Sequence, residues 1–385
     1  MCKSIEPMKL LFKLLFLAFL TLNSCKEKAT NQPKVVTLPK NQIQHATAFS
    51  IHKYEGYSIV KIINPWPEAL QSFTYVLKEK NGVIPDSLQN YITVDVPVQK
   101  LVVTSTTIIP FLEMLESEEK LTGFPHTNYI SSQKTRALIA KGAVKDLGQN
   151  ENLNIELLFD MQPDVVVTFG VDNTNKTVNK LTQNGLKVMF QADWMEQSPL
   201  GKAEWIKFYG LLLGKEKEAD SIFKTIESNY NNALELVNKT EANQTVLYGS
   251  MYKDKWFVAR GNSWIAQFLK DAKTDYLWKD LPGVGSEALS FESVFDKAQH
   301  ANIWITNGAI ENLTQLLEEN HHYAKFDAFQ NKEIYSFESQ KGETGGTIYY
   351  ESAPSRPDLV LKDYIKIFHP ELLPDYQFTF AKKLD

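Results

Sequence analysis

The sequence predicts an α/β protein of two parallel-sheet lobes, with one long helix between them and a β-rich extension in front. Three observations predict it. From Lys100 onward, short β-branched runs alternate with helical periods, the pattern of a parallel sheet with helical crossovers. Residues 216–238 carry an unbroken helical stripe, after which the alternation starts again. Residues 43–97 read instead as strands separated by turn signals. A chain of 385 residues is also longer than one compact domain usually is, which fits two lobes.

Residues 1–24 read as a secretory signal. Lys9 and Lys13 supply the basic region, residues 10–22 the apolar one, and small residues precede Cys25; Met8 serves equally well as the start. The apolar run is 13 residues long, against the roughly 20 that a spanning helix needs. Leu22-Asn23-Ser24-Cys25 resembles the bacterial lipobox, with Asn where Ala, Val or Thr is commoner. That resemblance implies a lipid on Cys25, and a mature protein held by this anchor alone on the periplasmic or cell-surface side. No cysteine follows Cys25, which excludes a disulfide framework. The formal charge is −5, and losing residues 1–24 removes three lysines and one glutamate. This acidity argues against nucleic acid and against a basic membrane-binding surface. Residues 25–42 are polar and read as a flexible tether.

The extension, 43–97, contains "YSIVKII", "FTYVLKE" and "YITVDVPV". Asn64-Pro65-Trp66-Pro67, Asn81-Gly82 and Pro85-Asp86 separate them, so a small antiparallel sheet is expected. The first lobe, 98–200, opens with the strand "KLVVTST" and a helix over 108–115. There follow the strand "KLTGF", helices over 131–140 and 154–161, the strand "DVVVTFG", a helix over 174–184 and the strand "KVMFQ".

The linking segment, 201–239, holds the long stripe: Ala219, Ile222, Phe223, Ile226, Tyr230, Ala233, Leu234 and Val237. Neither Gly nor Pro interrupts it, and its length would reach about 35 Å. It fits a core helix or a strut across two lobes. The second lobe, 240–385, begins with "TVLYGSMY" and "KWFVARG", which read as paired strands, and a helix over 264–272. A helix over 290–298, the strand "NIWITN", a helix over 312–319 and the strand "EIYSFE" follow. The closing helix, 357–368, has Ser355 and Asp358 as a box-like start and Pro357 in its first turn. Leu361, Tyr364, Ile365 and Phe368 form its apolar face, and His369-Pro370 stops it, with His369 placed for C-terminal capping.

The two halves echo one another. "NIELLFD" at 154–160 and "SFESVFD" at 290–296 each precede a short turn and an apolar strand. Asn154 and Ser290 are good N-caps, and Glu156 and Glu292 fall in the first turn, where the helix dipole favours a carboxylate. By themselves these are two ordinary helix starts.

Taken in order, these pieces resemble the periplasmic iron-complex and vitamin B12 substrate-binding proteins of ABC importers. "VQKLVVTSTTIIPFLEMLESEEKLTGF", "NIELLFDMQPDVVVTF", "NSWIAQFLKDAKTDYLW", "LSFESVFDKAQHANIWI" and "RPDLVLKDYIKIFHPELLP" carry the likeness, over roughly three quarters of the chain. The resemblance implies two α/β lobes joined by a single long helix that permits only a small closure. It implies a monomer that delivers a metal chelate of ferric-siderophore type to a permease with its ATPase, a corrinoid or haem being the alternative. By position, Glu156 and Glu292 would dock into arginine pockets of the permease, one per lobe; Arg–carboxylate pairs suit that task. The extension 43–97 is no part of the family pattern.

The ligand is then expected between the lobes, beyond the carboxyl ends of the strands. This nominates Thr106, Thr107, His126, Tyr129, Phe169, Asp193 and Trp194 in the first lobe. In the second it nominates Tyr252, Trp256, Arg260, Trp264, Asn307, Tyr349 and Tyr350. Aromatic walls with few polar groups suit a large flat or chelated ligand, and Arg260 could meet an anion. Readings of other classes are weaker. No G-x-S-x-G, phosphate-cradling loop or H-E-x-x-H is present, so neither catalysis nor a cofactor is expected. His321 and His322 are adjacent and poorly placed to grip one metal, and His126, His300 and His369 could converge only through the fold. Free metal-ion binding and a purely structural surface lipoprotein remain the rivals.

Overall fold

The computed structural model describes residues 39–150, 152–172, 176–241 and 244–385. The signal, Cys25 and most of the tether lie outside the described residues. Among those described, no helix is long and apolar enough to cross a membrane.

The extension forms a four-stranded sheet. Phe49–Tyr54, Tyr57–Ile63 and Ser72–Glu79 make an antiparallel meander. The fourth strand, Ile92–Val96, departs from the expected antiparallel order and lies parallel to the third. The intervening chain crosses over instead of turning back, through a short 3-10 turn at Asp86–Leu88. The sheet is no separate appendage, because its buried face belongs to the first lobe's core. Phe49 packs 4.3 Å from Trp205, and the Tyr75 hydroxyl accepts a hydrogen bond from the Phe190 N–H at 2.9 Å.

Two buried carboxylates fasten the chain entering this sheet. Glu204 accepts from the N–H groups of Gln44, His45 and Ala46. Glu196 accepts from the N–H groups of Thr47 and Ala48 and from the Trp205 indole. Burial would raise the Glu204 carboxyl, but Lys207 and the three N–H donors outweigh it and hold the group below its ordinary range. Both glutamates belong to a helical stretch that the strand–helix rhythm does not single out, Pro199–Glu204 and Ile206–Leu213, and to the turn before it.

The first lobe's sheet is fully parallel, in the spatial order Val188–Gln191, Val165–Phe169, Leu101–Val103, Leu121–Phe124, Lys145–Asp146. The second lobe's sheet runs Asp275–Tyr276, Thr245–Tyr248, Ile303–Thr306, Ile334–Ser336, and ends on the antiparallel pair partner Lys382–Lys383. "TVLYGSMY" is therefore two strands. Gly249, at φ +99°, breaks it, since a Cβ there would lie 1.9 Å from the Phe257 carbonyl. Beyond the break, Ser250–Tyr252 folds onto Lys255–Ala259, which also pairs with Ser286–Leu289.

The long helix, Glu216–Val237, is a strut. Ala219, Phe223 and Ile226 are buried in the first lobe's core, and Tyr230, Ala233 and Val237 in the second's. The closing helix, Pro357–Phe368, packs along it and buries Leu361, Tyr364, Ile365 and Phe368. Its expected capping box does not form. Arg356 takes the N-cap position and its guanidinium clamps Asp358 at 2.9 and 3.0 Å, while the Ser355 hydroxyl donates back to the Ser352 carbonyl. His369 is buried and its ring nitrogen meets the Ala272 carbonyl at 3.0 Å, tying this helix to the end of Trp264–Asp271.

Candidate functional site

A cleft of about 680 Å³ opens between the lobes, within the size range of small-molecule sites. Its first-lobe wall is the segment after the edge strand Val188–Gln191: Trp194, Met195, Glu196 and Gln197, with Lys202 behind them. Its second-lobe wall begins where the strand order reverses, between Thr245–Tyr248 and Ile303–Thr306, with Tyr248 and Asn307 at their carboxyl ends. Trp264, Tyr349, Tyr350, Glu338 and residues 284–286 complete that wall. Pro67 and Glu68 close the rim from the extension.

The aromatic part of the wall is stacked. Trp264 lies 6.0 Å from Tyr349 at 24°, and the Lys202 ammonium sits 5.1 Å from the centre of the Trp264 ring, across the lobe boundary. Tyr349 is buried and its hydroxyl has no hydrogen-bond partner. The Tyr350 hydroxyl donates to Glu338 at 2.5 Å, and the Gly308 N–H donates to the same carboxylate at 2.7 Å. Lys202 donates to the Asp193 carbonyl at 2.8 Å. Burial pushes the Asp193 carboxyl up, against the pull of Lys202 and the Thr107 hydroxyl, and pushes the Lys202 ammonium down, against Asp193 and Glu196.

Of the residues nominated by sequence, Trp194, Trp264 and Tyr349 line this cleft, as do Asn307 and Tyr350. Asp193 lies buried beneath it. Trp256 belongs instead to the second lobe's core: it has no exposed surface, packs 5.4 Å from Trp304 and 5.6 Å from Tyr323, and donates to the Tyr248 carbonyl. Arg260 is not free for an anion. It pairs with Glu287, and its other nitrogens donate to the carbonyls of Pro282 and Ser286. Tyr252, 67 % exposed, and Phe169 are likewise off the cleft wall.

Thr106, Thr107, His126 and Tyr129 are off the wall for a shared reason. The second lobe sends the loop 339–347 and the helix Ile348–Ser352 across the carboxyl ends of the first lobe's strands, where the helix packs on Thr106–Ile108. Glu351 then accepts from the N–H groups of Ser131 and Ser132 at 2.7 and 2.9 Å, and the Thr344 hydroxyl donates to the Asn128 carbonyl at 2.7 Å. Gly346 permits the approach, since a Cβ there would sit 2.2 Å from the Tyr129 carbonyl. The rule of strand ends thus points to a region that a long-range contact has partly covered, leaving Tyr129 exposed but outside the cleft. Among the cleft residues sequence reasoning missed are Lys202, Glu196, Glu338, Tyr248, Pro67 and Glu68; Lys202 sits in a helical run that also carries Glu204 and Lys207, so its charge was no distinguishing signal.

Glu156 and Glu292 occupy matching positions. Each is exposed in the first turn of its helix, Ile155–Met161 or Phe291–Ala298, capped by Asn154 or Ser290 through the third residue's N–H. The free first-turn N–H and the Ser290 hydroxyl hold the Glu292 carboxyl below its ordinary range. His300 pairs with Asp327 and His369 with a carbonyl. Among the described residues no cluster of three or more metal-ligating side chains forms.

A model of the periplasmic binding protein family matches residues 101–341. An uncharacterized lipoprotein of Methanocaldococcus jannaschii is 26 % identical over 323 residues, covering 80 % of this chain and 75 % of that one. A possible iron-binding periplasmic solute-binding protein from Staphylococcus epidermidis superposes with a TM-score of 0.55 at 19 % identity, covering 71 % of this chain and 99 % of that one. The molybdate-binding protein MolA of Haemophilus influenzae, from an ABC transporter, does so with a TM-score of 0.58 at 13 % identity, covering 77 % and 93 %. These structures share the fold.

Proposed function

The chain belongs to the periplasmic binding protein family of ABC-transporter substrate-binding proteins, and on that premise we propose that it is a lipid-anchored receptor for a metal chelate. It captures a ligand of ferric-siderophore type between its lobes and passes it to a permease driven by an ATPase, without making or breaking a bond. The observation that carries this reading is the inter-lobe cleft itself: stacked Trp264 and Tyr349 and exposed Trp194 around one cavity of about 680 Å³. Large apolar faces and one or two directed polar groups suit a bulky chelate better than a bare ion, for which no ligand cluster exists among the described residues. A corrinoid or haem fits the same walls. The solved neighbours' names span iron and molybdate, so likeness of fold leaves the cargo open.

In this reading Cys25 carries the lipid, and the chain from residue 26 tethers the lobes to the membrane. Glu156 and Glu292 set the register against the permease as charged pegs on two rigid helix ends. The test is titration of the soluble chain beginning after Cys25 with cobalamin, haem and a panel of ferric siderophores, followed by tryptophan fluorescence. Saturable quenching by one of them is expected; no saturable response to any chelate removes the reading.

A further inference from the structure

We propose that the appended sheet is part of the ligand site, and that Glu68 on its outer turn selects neutral or cationic chelates over anionic ones. This rests on the reading of the inter-lobe cleft as the binding site. The sheet precedes the residues that match the family model, 101–341, so its contribution is an addition to the family core.

The turn is built to project. Trp66 is 2 % exposed and sits 5.5 Å from Phe190 and 5.7 Å from Phe73, which roots the turn on the first lobe's edge strand. The Ala69 N–H closes it on the Trp66 carbonyl at 3.2 Å. Between those anchors Pro67 and Glu68 are exposed and face the cleft beside Trp194. Asn64 and Glu68 hold φ of +48° and +60°, a left-handed conformation that glutamate rarely adopts. Glu68 has no hydrogen-bond or ion-pair partner among the described residues.

Charge on the wall gives the direction. Three carboxylates, Glu68, Glu196 and Glu338, face the cleft against one ammonium, Lys202. Glu196 and Glu338 are already engaged by N–H and O–H donors, and Arg260 is tied to Glu287. Glu68 is therefore the uncommitted charge on the rim. An anionic chelate would approach it unfavourably, whereas a cationic or donor-bearing one would pair with it.

The experiment compares two ferric chelates of opposite charge on the purified full chain: monocationic ferrioxamine B and trianionic ferric enterobactin. Glu68→Gln should move the affinity ratio toward the anion by about tenfold at low ionic strength, and Glu68→Lys further, with both shifts shrinking in salt. Glu55→Lys, on the same sheet but off the cleft wall, controls for overall charge and should leave the ratio unchanged. A ratio that either Glu68 variant leaves unaltered, while at least one chelate still binds, overturns the role of Glu68 and leaves the cleft reading standing. A wild-type preference for the anion overturns it equally. No saturable binding by any of these chains sinks the chelate reading and this proposal together.

Discussion

Replacing Glu351 by Gln should change how stability depends on pH, because this side chain reaches from one lobe to the other with a displaced proton affinity. Its carboxyl is buried, accepts from the N–H groups of Ser131 and Ser132, and lies in the field of Glu113. Burial is the largest influence and Glu113 adds to it; the two N–H donors oppose them, and the group is pushed up from 4.5 to about 7. The native state therefore holds a proton that the unfolded chain has released between these values. With more protons bound in the native state, stability falls as pH rises through that window and levels off above about 7. A displacement of this size corresponds to about 3 kcal/mol at 1.36 kcal/mol per unit. Urea unfolding of both chains from about pH 4 to about pH 8 isolates the effect, since other groups cancel in the difference. The wild type should lose about 3 kcal/mol relative to Glu351→Gln across that range. Parallel profiles, or a wild type that gains on the variant as pH rises, would refute the assignment of a proton to the lobe junction.

Four further expectations follow from the same geometry. The double change Glu156→Ala with Glu292→Ala should abolish uptake by cells and leave ligand titration of the soluble chain intact; surviving transport would remove the docking role. Glu204→Gln should cost roughly 3 kcal/mol in urea unfolding, because one buried acceptor serves three N–H groups and Lys207. That group's lowered proton affinity also means that its contribution is present above the unfolded value of 4.5 and is lost as pH falls below it. Phe49→Ala should cost roughly 3–5 kcal/mol and lower the single unfolding transition of the first lobe, since Phe49 fills a core shared with Trp205 and Phe208; an independent low-temperature transition of the extension in calorimetry would contradict the shared core. Trp194→Phe should change stability by less than about 0.5 kcal/mol, because the ring is 41 % exposed. It should also remove part of the ligand-dependent fluorescence change, and an undiminished signal would place the ligand elsewhere.

The layout was legible where local pattern and packing agree. The closing helix begins and ends at Pro357 and Phe368 because its apolar face and its flanking prolines give one answer. The stripe over 216–238 became a strut because it feeds two cores in succession, and only the fold could separate that from a helix buried in one. What sequence could not supply was sidedness. Trp256 and Trp264 both follow strand-like runs, yet one faces the core and the other the cleft, and an indole suits either. The strand-end rule picked out the second lobe's mouth through Asn307, but at the first lobe it could not foresee that Ile348–Ser352 would arrive from more than two hundred residues away to cover Thr106 and Thr107. The capping box at Ser355 lost to Arg356, whose clamp on Asp358 uses the carboxylate that a box would have needed.

These contacts together limit how such a receptor can move. The long helix is buried at one end in each core, so a large swing would have to bend it or extract Phe223 or Tyr230, each of which is at most 3 % exposed. The Glu351 junction ties the lobes beside the cleft, and Thr344 ties them a second time. Lys202 over Trp264 joins them within it. Closure by hinge is thus expected to be confined to small rotations, which would leave discrimination to the chemistry of the walls more than to their travel. That makes the origin of each wall decisive. The first lobe's contribution stands on its edge strand, Val188–Gln191, and the extension grips that strand through Tyr75, Trp66 and Phe73. A sheet that fixes the strand holding Trp194 also fixes the distance across the cleft. Its turn then adds Pro67 and Glu68 to the rim from an anchor, Trp66, that is already buried. Support and selectivity therefore reside in one element, and changes to its core should reach the ligand through the position of Trp194.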